Sequence, residues 1–135
     1  MVYNKVEEDM YSMKRKRIII GIVICVVILL GATIFSIVKF NVWNPFSSCL
    51  GMLEILFTNK EYTIVQNIPN RVIFSKTSDT SNKSVGQLLD EYMESKRFRF
   101  VPEEQMGAIL VYSNGTEKEY IVFSSNKYYS KWEWQ

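Results

Sequence analysis

The 135-residue sequence contains no histidine and two cysteines, and that removes much of the common side-chain chemistry. Without imidazole there is no Ser-His-Asp or Cys-His nucleophile, no histidine proton transfer and no histidine metal ligand. Cys25 lies inside a long apolar run and Cys49 just beyond it. One thiol outside that run cannot build a cysteine-rich zinc site. It reads as a small buried apolar residue, with pairing between chains as the alternative. The glycines outside the run, at 51, 86, 107 and 115, are too scattered for a phosphate-cradling loop. Two constellations keep some chemical meaning. Serine stands near lysine at Ser125/Lys127 and Ser130/Lys131, and a lysine of depressed pKa can activate a serine. Glu103 and Glu104 form a carboxylate pair suited to acid–base work or calcium. Solvent-facing turn and strand residues explain both sets more simply, so no catalytic, cofactor or metal site is assigned.

Aromatic residues form the third constellation. Tyr120, Phe123, Tyr128, Tyr129, Trp132 and Trp134 crowd the end of the chain. Rings on a sheet serve as core or as a surface for sugars, peptides or a protein partner. Strand alternation assigns Phe123, Trp132 and Trp134 to the core, leaving Tyr120 and Tyr129 as the candidate partner-binding surface.

The elements that must position these residues divide sharply. From Ile18 to Val38 there is no charged residue. As a helix this run spans roughly 30 Å, the hydrocarbon thickness of a bilayer. Lys14, Arg15, Lys16 and Arg17 abut its start, and only Lys39 lies close on the far side. Basic residues favour the cytoplasmic side, so the reading is a cytoplasmic tail at 1–17, a transmembrane helix at 18–38, a juxtamembrane linker at 39–48 and an extracytoplasmic domain at 49–135. The run is too long for a cleaved signal peptide, and no Ala-x-Ala-like site follows it. Trp43 and Phe46 suit the headgroup layer. Within the span, Gly21, Cys25, Ile28, Ala32 and Ser36 share roughly one stripe, where small residues would admit a second helix. From Phe40 onward there are ten Lys/Arg and eleven Asp/Glu, so nothing resembles a nucleic-acid surface.

In the outer part, residues 50–57 suit a short helix behind the able N-caps Ser47 and Ser48. Residues 62–66 and 71–76 read as two strands around Asn67, Pro69 and Asn70, and residues 77–83 as an exposed loop. Ser84 and Gln87 make a capping-box pattern, and Val85, Leu88, Leu89, Tyr92 and Met93 follow as one apolar stripe to about Lys96. Strands at 108–113, 118–125 and 128–134 form a meander. Two-residue turns would set Ile109 opposite Tyr120, Leu110 opposite Glu119, Ile121 opposite Trp132 and Phe123 opposite Ser130. Alternation then gives Leu110, Tyr112, Ile121, Phe123, Trp132 and Trp134 one shared face. The expected fold is α+β: one N-terminal transmembrane helix, then a small domain with an amphipathic helix packed on an antiparallel sheet.

The stretch Ser84–Gln135 runs from a capped helix ending in Tyr92-Met93-Glu94 through Glu104-Gln105-Met106-Gly107 and Ser124–Lys127 to Tyr128-Tyr129-Ser130-Lys131-Trp132. It resembles a group of small, uncharacterised bacterial single-pass membrane proteins. The resemblance implies an anchored outer domain and brings no activity. The expected function is a non-catalytic binding or accessory module at the outer membrane surface, in contact with the lipid bilayer and another membrane or envelope protein. The rivals are a small membrane-tethered hydrolase using Ser-Lys or carboxylate chemistry, and a structural or immunity-type protein acting through its transmembrane helix.

Overall fold

The uncharged run forms the greater part of one helix, α1 (Val2–Phe40), in the computed structural model. The structure describes residues 2–77, 83, 84 and 86–135, with side-chain surroundings from Met10 onward. Every residue from Met10 to Ala32 is exposed. Among the described residues, Met10–Phe40 is the stretch long and apolar enough to cross a membrane. The segment before Ile18 continues the helix back to Val2. Extending a helix already formed costs little, and Lys, Arg, Glu and Met are good formers.

The expected linker at 39–48 is largely helical. α1 ends because Asn41 takes the left-handed conformation (φ 56°) and its N–H bonds to the Ile37 carbonyl at 2.9 Å. Asparagine tolerates that conformation better than most residues. Asn44 then caps the next helix, α2 (Pro45–Phe57). Its side-chain oxygen accepts from the N–H of Phe46 (2.9 Å) and Ser47 (3.4 Å), and Pro45 fills the first helical position. The expected caps Ser47 and Ser48 therefore lie inside the helix, and only residues 41–44 separate the two helices.

The strands β1 (Tyr62–Gln66), β2 (Val72–Ser75), β3 (Arg99–Phe100), β4 (Ile109–Ser113), β5 (Lys118–Ser125) and β6 (Ser130–Trp134) form one antiparallel sheet. Its order is β1-β2-β6-β5-β4-β3. The meander is present with a corrected register. Leu110 pairs with Ile121, and Phe123 with Trp132. Both hairpins carry four-residue loops instead of two. Asn114 and Asn126 begin these loops, and each side-chain oxygen accepts two loop N–H groups: Thr116 and Glu117 in one, Tyr128 and Tyr129 in the other. A shift of two residues keeps every side chain on its face.

The sheet is consequently covered on both sides. Helix α3 (Gln87–Ser95) lays Leu88, Leu89, Tyr92 and Met93 against Ile73, Tyr112, Ile121, Trp132 and Trp134, with Leu110 and Phe123 at the margin. Its start combines the expected Gln87 side-chain bond to the Ser84 N–H (3.2 Å) with Gly86 in a left-handed conformation (φ 93°); Val85 lies outside the described residues. On the opposite face Val42, Ile55, Val65, Val72 and Phe74 form a second cluster, joined by Phe40, Met52 and Tyr129. In the expected loop, Thr77 is buried and donates to the Lys127 carbonyl (3.1 Å); residues 78–82 lie outside the described residues.

Candidate functional site

The structure separates the groups singled out for chemistry. Ser130 and Lys131 are neighbours on β6, so their side chains point to opposite faces. The Ser130 hydroxyl bonds to that of Ser125 at 2.8 Å, while the Lys131 ammonium lies 2.9 Å from Glu133 Oε2. Lys127 stands over the Tyr128 ring. Glu103 and Glu104 sit in a short 3₁₀ turn, Pro102–Glu104. Glu104 is bonded to Lys118, 2.6 Å away, and this bond raises the lysine's pKa. Among the described residues no three His, Cys, Asp or Glu side chains are grouped to hold a metal.

The two tyrosines do not form one surface. Tyr120 is 39% exposed near the start of β5. Tyr129 follows its end, roughly 17 Å away along the strand. Expected to be exposed, Tyr129 instead packs its ring on Phe40 and Phe74, with centroids 6.0 and 5.4 Å away. This burial raises its phenol pKa. Alternation does not extend into a loop, so the strand argument could not place it. Cys49, expected to be buried, is exposed.

What the fold does bring together is the end of α1, the start of α2 and the sheet. The Ser36 hydroxyl donates to the Val42 carbonyl at 2.7 Å and lies 2.9 Å from the Ser48 hydroxyl. Both serines are buried. The Asn41 amide donates to Glu133, whose other oxygen holds Lys131. Gln66 accepts from the Trp43 N–H at 2.8 Å and donates to the carbonyls of Asn41 and Asn70. Gly51 turns α2's backbone to the sheet: a Cβ there would stand 2.2 Å from Val65 Cγ1. Ser36, foreseen as part of a stripe for a second helix, thus serves this chain's own α2. Ala32 lines the cleft between the two helices with Phe35, Cys49, Met52 and Leu53. Gly21 and Cys25 remain open along α1.

The opposite side of α2 is uncovered. Its exposed residues are Phe46, Cys49, Leu50, Leu53, Leu56 and Phe57, all apolar. Phe46, Leu50, Leu53 and Phe57 recur at helical spacing. That spacing was visible in the sequence, but apolar residues on the buried face masked its period. α2's one charge, Glu54, is turned aside to Lys60 and to Thr63 (2.6 Å). Those bonds lower its pKa, the Lys60 contact foremost. α3 behaves oppositely: its exposed residues are Gln87, Asp90, Glu91, Glu94 and Ser95.

No protein-family model matches the chain, and neither the curated proteins nor the solved structures include a significant match to it.

Proposed function

We propose that this is a single-pass membrane protein with a cytoplasmic N-terminus, whose outer α+β domain is a non-catalytic binding or accessory module held at the membrane surface. The observation that carries the reading is the junction. The end of the apolar helix and the residues just after it are part of the domain's own packing: Val42 belongs to its second hydrophobic cluster, Phe40 packs against that cluster, and Asn41 is bonded to Glu133 on β6. Ser36, inside the span, bonds to Val42 and lies against Ser48; a signal sequence removed after the span would take those contacts with it, so the junction supports retention. A domain joined rigidly to its anchor suits contact with a neighbouring membrane or envelope protein better than pursuit of soluble substrates. The dispersal of the serines, lysines and glutamates supports the same reading over the hydrolase. The basic tetrad at 14–17 supports the orientation.

Two measurements test it. A cysteine at exposed Ser124, in a chain lacking Cys25 and Cys49, should react with a membrane-impermeant thiol reagent on whole cells, while one at Met10 should not; the reverse result means the opposite orientation. A photocrosslinker at Tyr120 in native membranes should recover one protein repeatedly. Recovery of none, together with hydrolysis that depends on a serine or glutamate, overturns the binding reading.

A further inference from the structure

We propose that α2 is seated in the outer leaflet of the same bilayer that α1 spans, with its exposed face against lipid acyl chains. The inference rests on the membrane reading of α1 and adds a second lipid-contacting element to it.

α2 lies at the depth of the outer end of the span. Four residues separate it from the end of α1, and it returns beside that helix. Ser48 meets Ser36, and Cys49, Met52 and Leu53 share the walls of one cleft with Ala32 and Phe35. Ala32, Phe35 and Ser36 belong to the uncharged run. A residue that shares a cleft with them shares their depth, so α2 cannot stand clear of a membrane that contains them.

The chemistry of the exposed face matches that depth. At 100° per residue, Phe46, Leu50, Leu53 and Phe57 lie within an arc of about 60°, and Cys49 and Leu56 widen it to about 120°. A stripe of that width is what a helix buries against an apolar phase. Its other side, with Ser48, Gly51 and Ile55, is already occupied by α1 and the sheet. α2 carries no lysine or arginine; its glutamate is bonded away from the apolar sector. Trp43, 62% exposed at the elbow, suits the headgroup layer. Lys60 follows the helix end, where an ammonium can return to water. α3 of the same chain shows what a water-facing helix of this protein looks like, and α2 is unlike it.

Two lipid-seated helices fix orientation where one would leave rotation free. The sheet edge and α3 are then presented to the outside at a set angle.

The test uses the full chain in phosphatidylcholine nanodiscs, with single nitroxide labels in a background lacking Cys25 and Cys49. Power saturation with oxygen and with a water-soluble nickel chelate reports lipid or water at each label. Labels at 50, 53 and 57 should be oxygen-accessible and nickel-protected, as at Val27; labels at Glu91 and Ser124 should show the reverse. All these sites are exposed, so labelling leaves the core intact. Nickel access at 50, 53 and 57 with a lipid signature at 27 overturns the seating of α2 and leaves the membrane reading standing. Nickel access at 27 overturns the membrane reading itself. Protection from both agents at 50, 53 and 57, with spin–spin broadening, means a second copy covers the face, and overturns the lipid proposal.

Discussion

The Ser36 hydroxyl of α1 lies 2.9 Å from the Ser48 hydroxyl of α2, and both residues are buried. Each hydroxyl has one proton. Ser36 donates its own to the Val42 carbonyl at 2.7 Å, and the proton of Ser48 has two acceptors within reach, the Ser36 hydroxyl and the Pro45 carbonyl 3.0 Å away. Ser36 thus ties both helices to the chain between them.

Unequal effects follow at the two serines. Ser36→Ala leaves the buried Val42 carbonyl without that donor and should loosen the elbow by about 1–3 kcal/mol. Ser48→Ala keeps the Ser36–Val42 bond and should cost less. Ser48 keeps the Pro45 carbonyl as its acceptor when Ser36 is removed. Hydrogen exchange of the full chain in nanodiscs should show faster exchange across residues 46–51 in Ser36→Ala than in Ser48→Ala, with α3 unchanged. Equal rates in the two variants would contradict the leading role of the Ser36–Val42 bond.

The approach of α2 to the sheet gives a second prediction. Gly51→Ala would place a methyl 2.2 Å from Val65 Cγ1. Val65 is buried and its branched side chain has few alternatives. The variant should lose about 1–3 kcal/mol in denaturant titrations of the full chain in detergent, and adding Val65→Ala should restore part of that loss. Gly31→Ala, where a Cβ meets nothing within 4 Å, should be neutral. A Gly51→Ala chain as stable as the parent would mean that α2 is not held this close.

The sequence revealed some of these relationships and hid others for physical reasons. The α3 stripe was legible because that helix buries one side only, which preserves its period, and the shared meander face because its large apolar residues alternate along each strand. The outward stripe of α2 was hidden because Ile55 faces the sheet while Leu50 and Phe57 face outward, and a helix apolar on both sides has no clear period. Two-residue turns were expected in the meander, but the Asn114 side chain satisfies two N–H groups of a longer loop. Leu110 and Phe123 kept their face because the error was even. Asn41 and Glu133 are 92 positions apart, and no local pattern announces their bond. Tyr129 was misplaced because it lies in a loop.

Alkaline behaviour should report on Tyr112. Its ring is buried and its hydroxyl donates to Asp90 at 2.7 Å. Burial, then the Asp90 bond and charge, holds the phenol pKa far above its ordinary value of 10.0. A raised folded pKa contributes stability that is present below pH 10 and lost as pH climbs above it, because only the unfolded chain then releases the proton. The parent should therefore weaken from pH 9 to pH 11. Tyr112→Phe should be less stable than the parent by about 1–2 kcal/mol at pH 8, with the gap narrowing at pH 11. Lys83 and Lys118, whose pKa values are also raised, contribute to the decline in both chains and cancel in the comparison. A gap that stays constant across this range would contradict the assignment.

The last prediction concerns Lys131 and Glu133. Their charged atoms are 2.9 Å apart with side chains only 15% and 11% exposed, and Glu133 also accepts from Asn41 at the end of α1. Removing one member of a buried pair leaves the other desolvated without compensation. Glu133→Ala should therefore cost about 3–5 kcal/mol. Glu133→Gln should cost less, because its amide oxygen can still accept from Asn41 although it cannot neutralise the ammonium. Replacing both residues by apolar ones, as in Lys131→Met/Glu133→Leu, should restore most of the stability, since neither charge then has to leave water. That double variant still lacks an acceptor for Asn41. Its sheet should be stable while the elbow of α1 is looser, detected as faster exchange at Val42 and Trp43. If Glu133→Ala were harmless, the pair would be hydrated and α1 would not be joined to the sheet through it. If the double variant were as unstable as Glu133→Ala, the Asn41 bond would outweigh the charges, and the junction would depend on one amide donor.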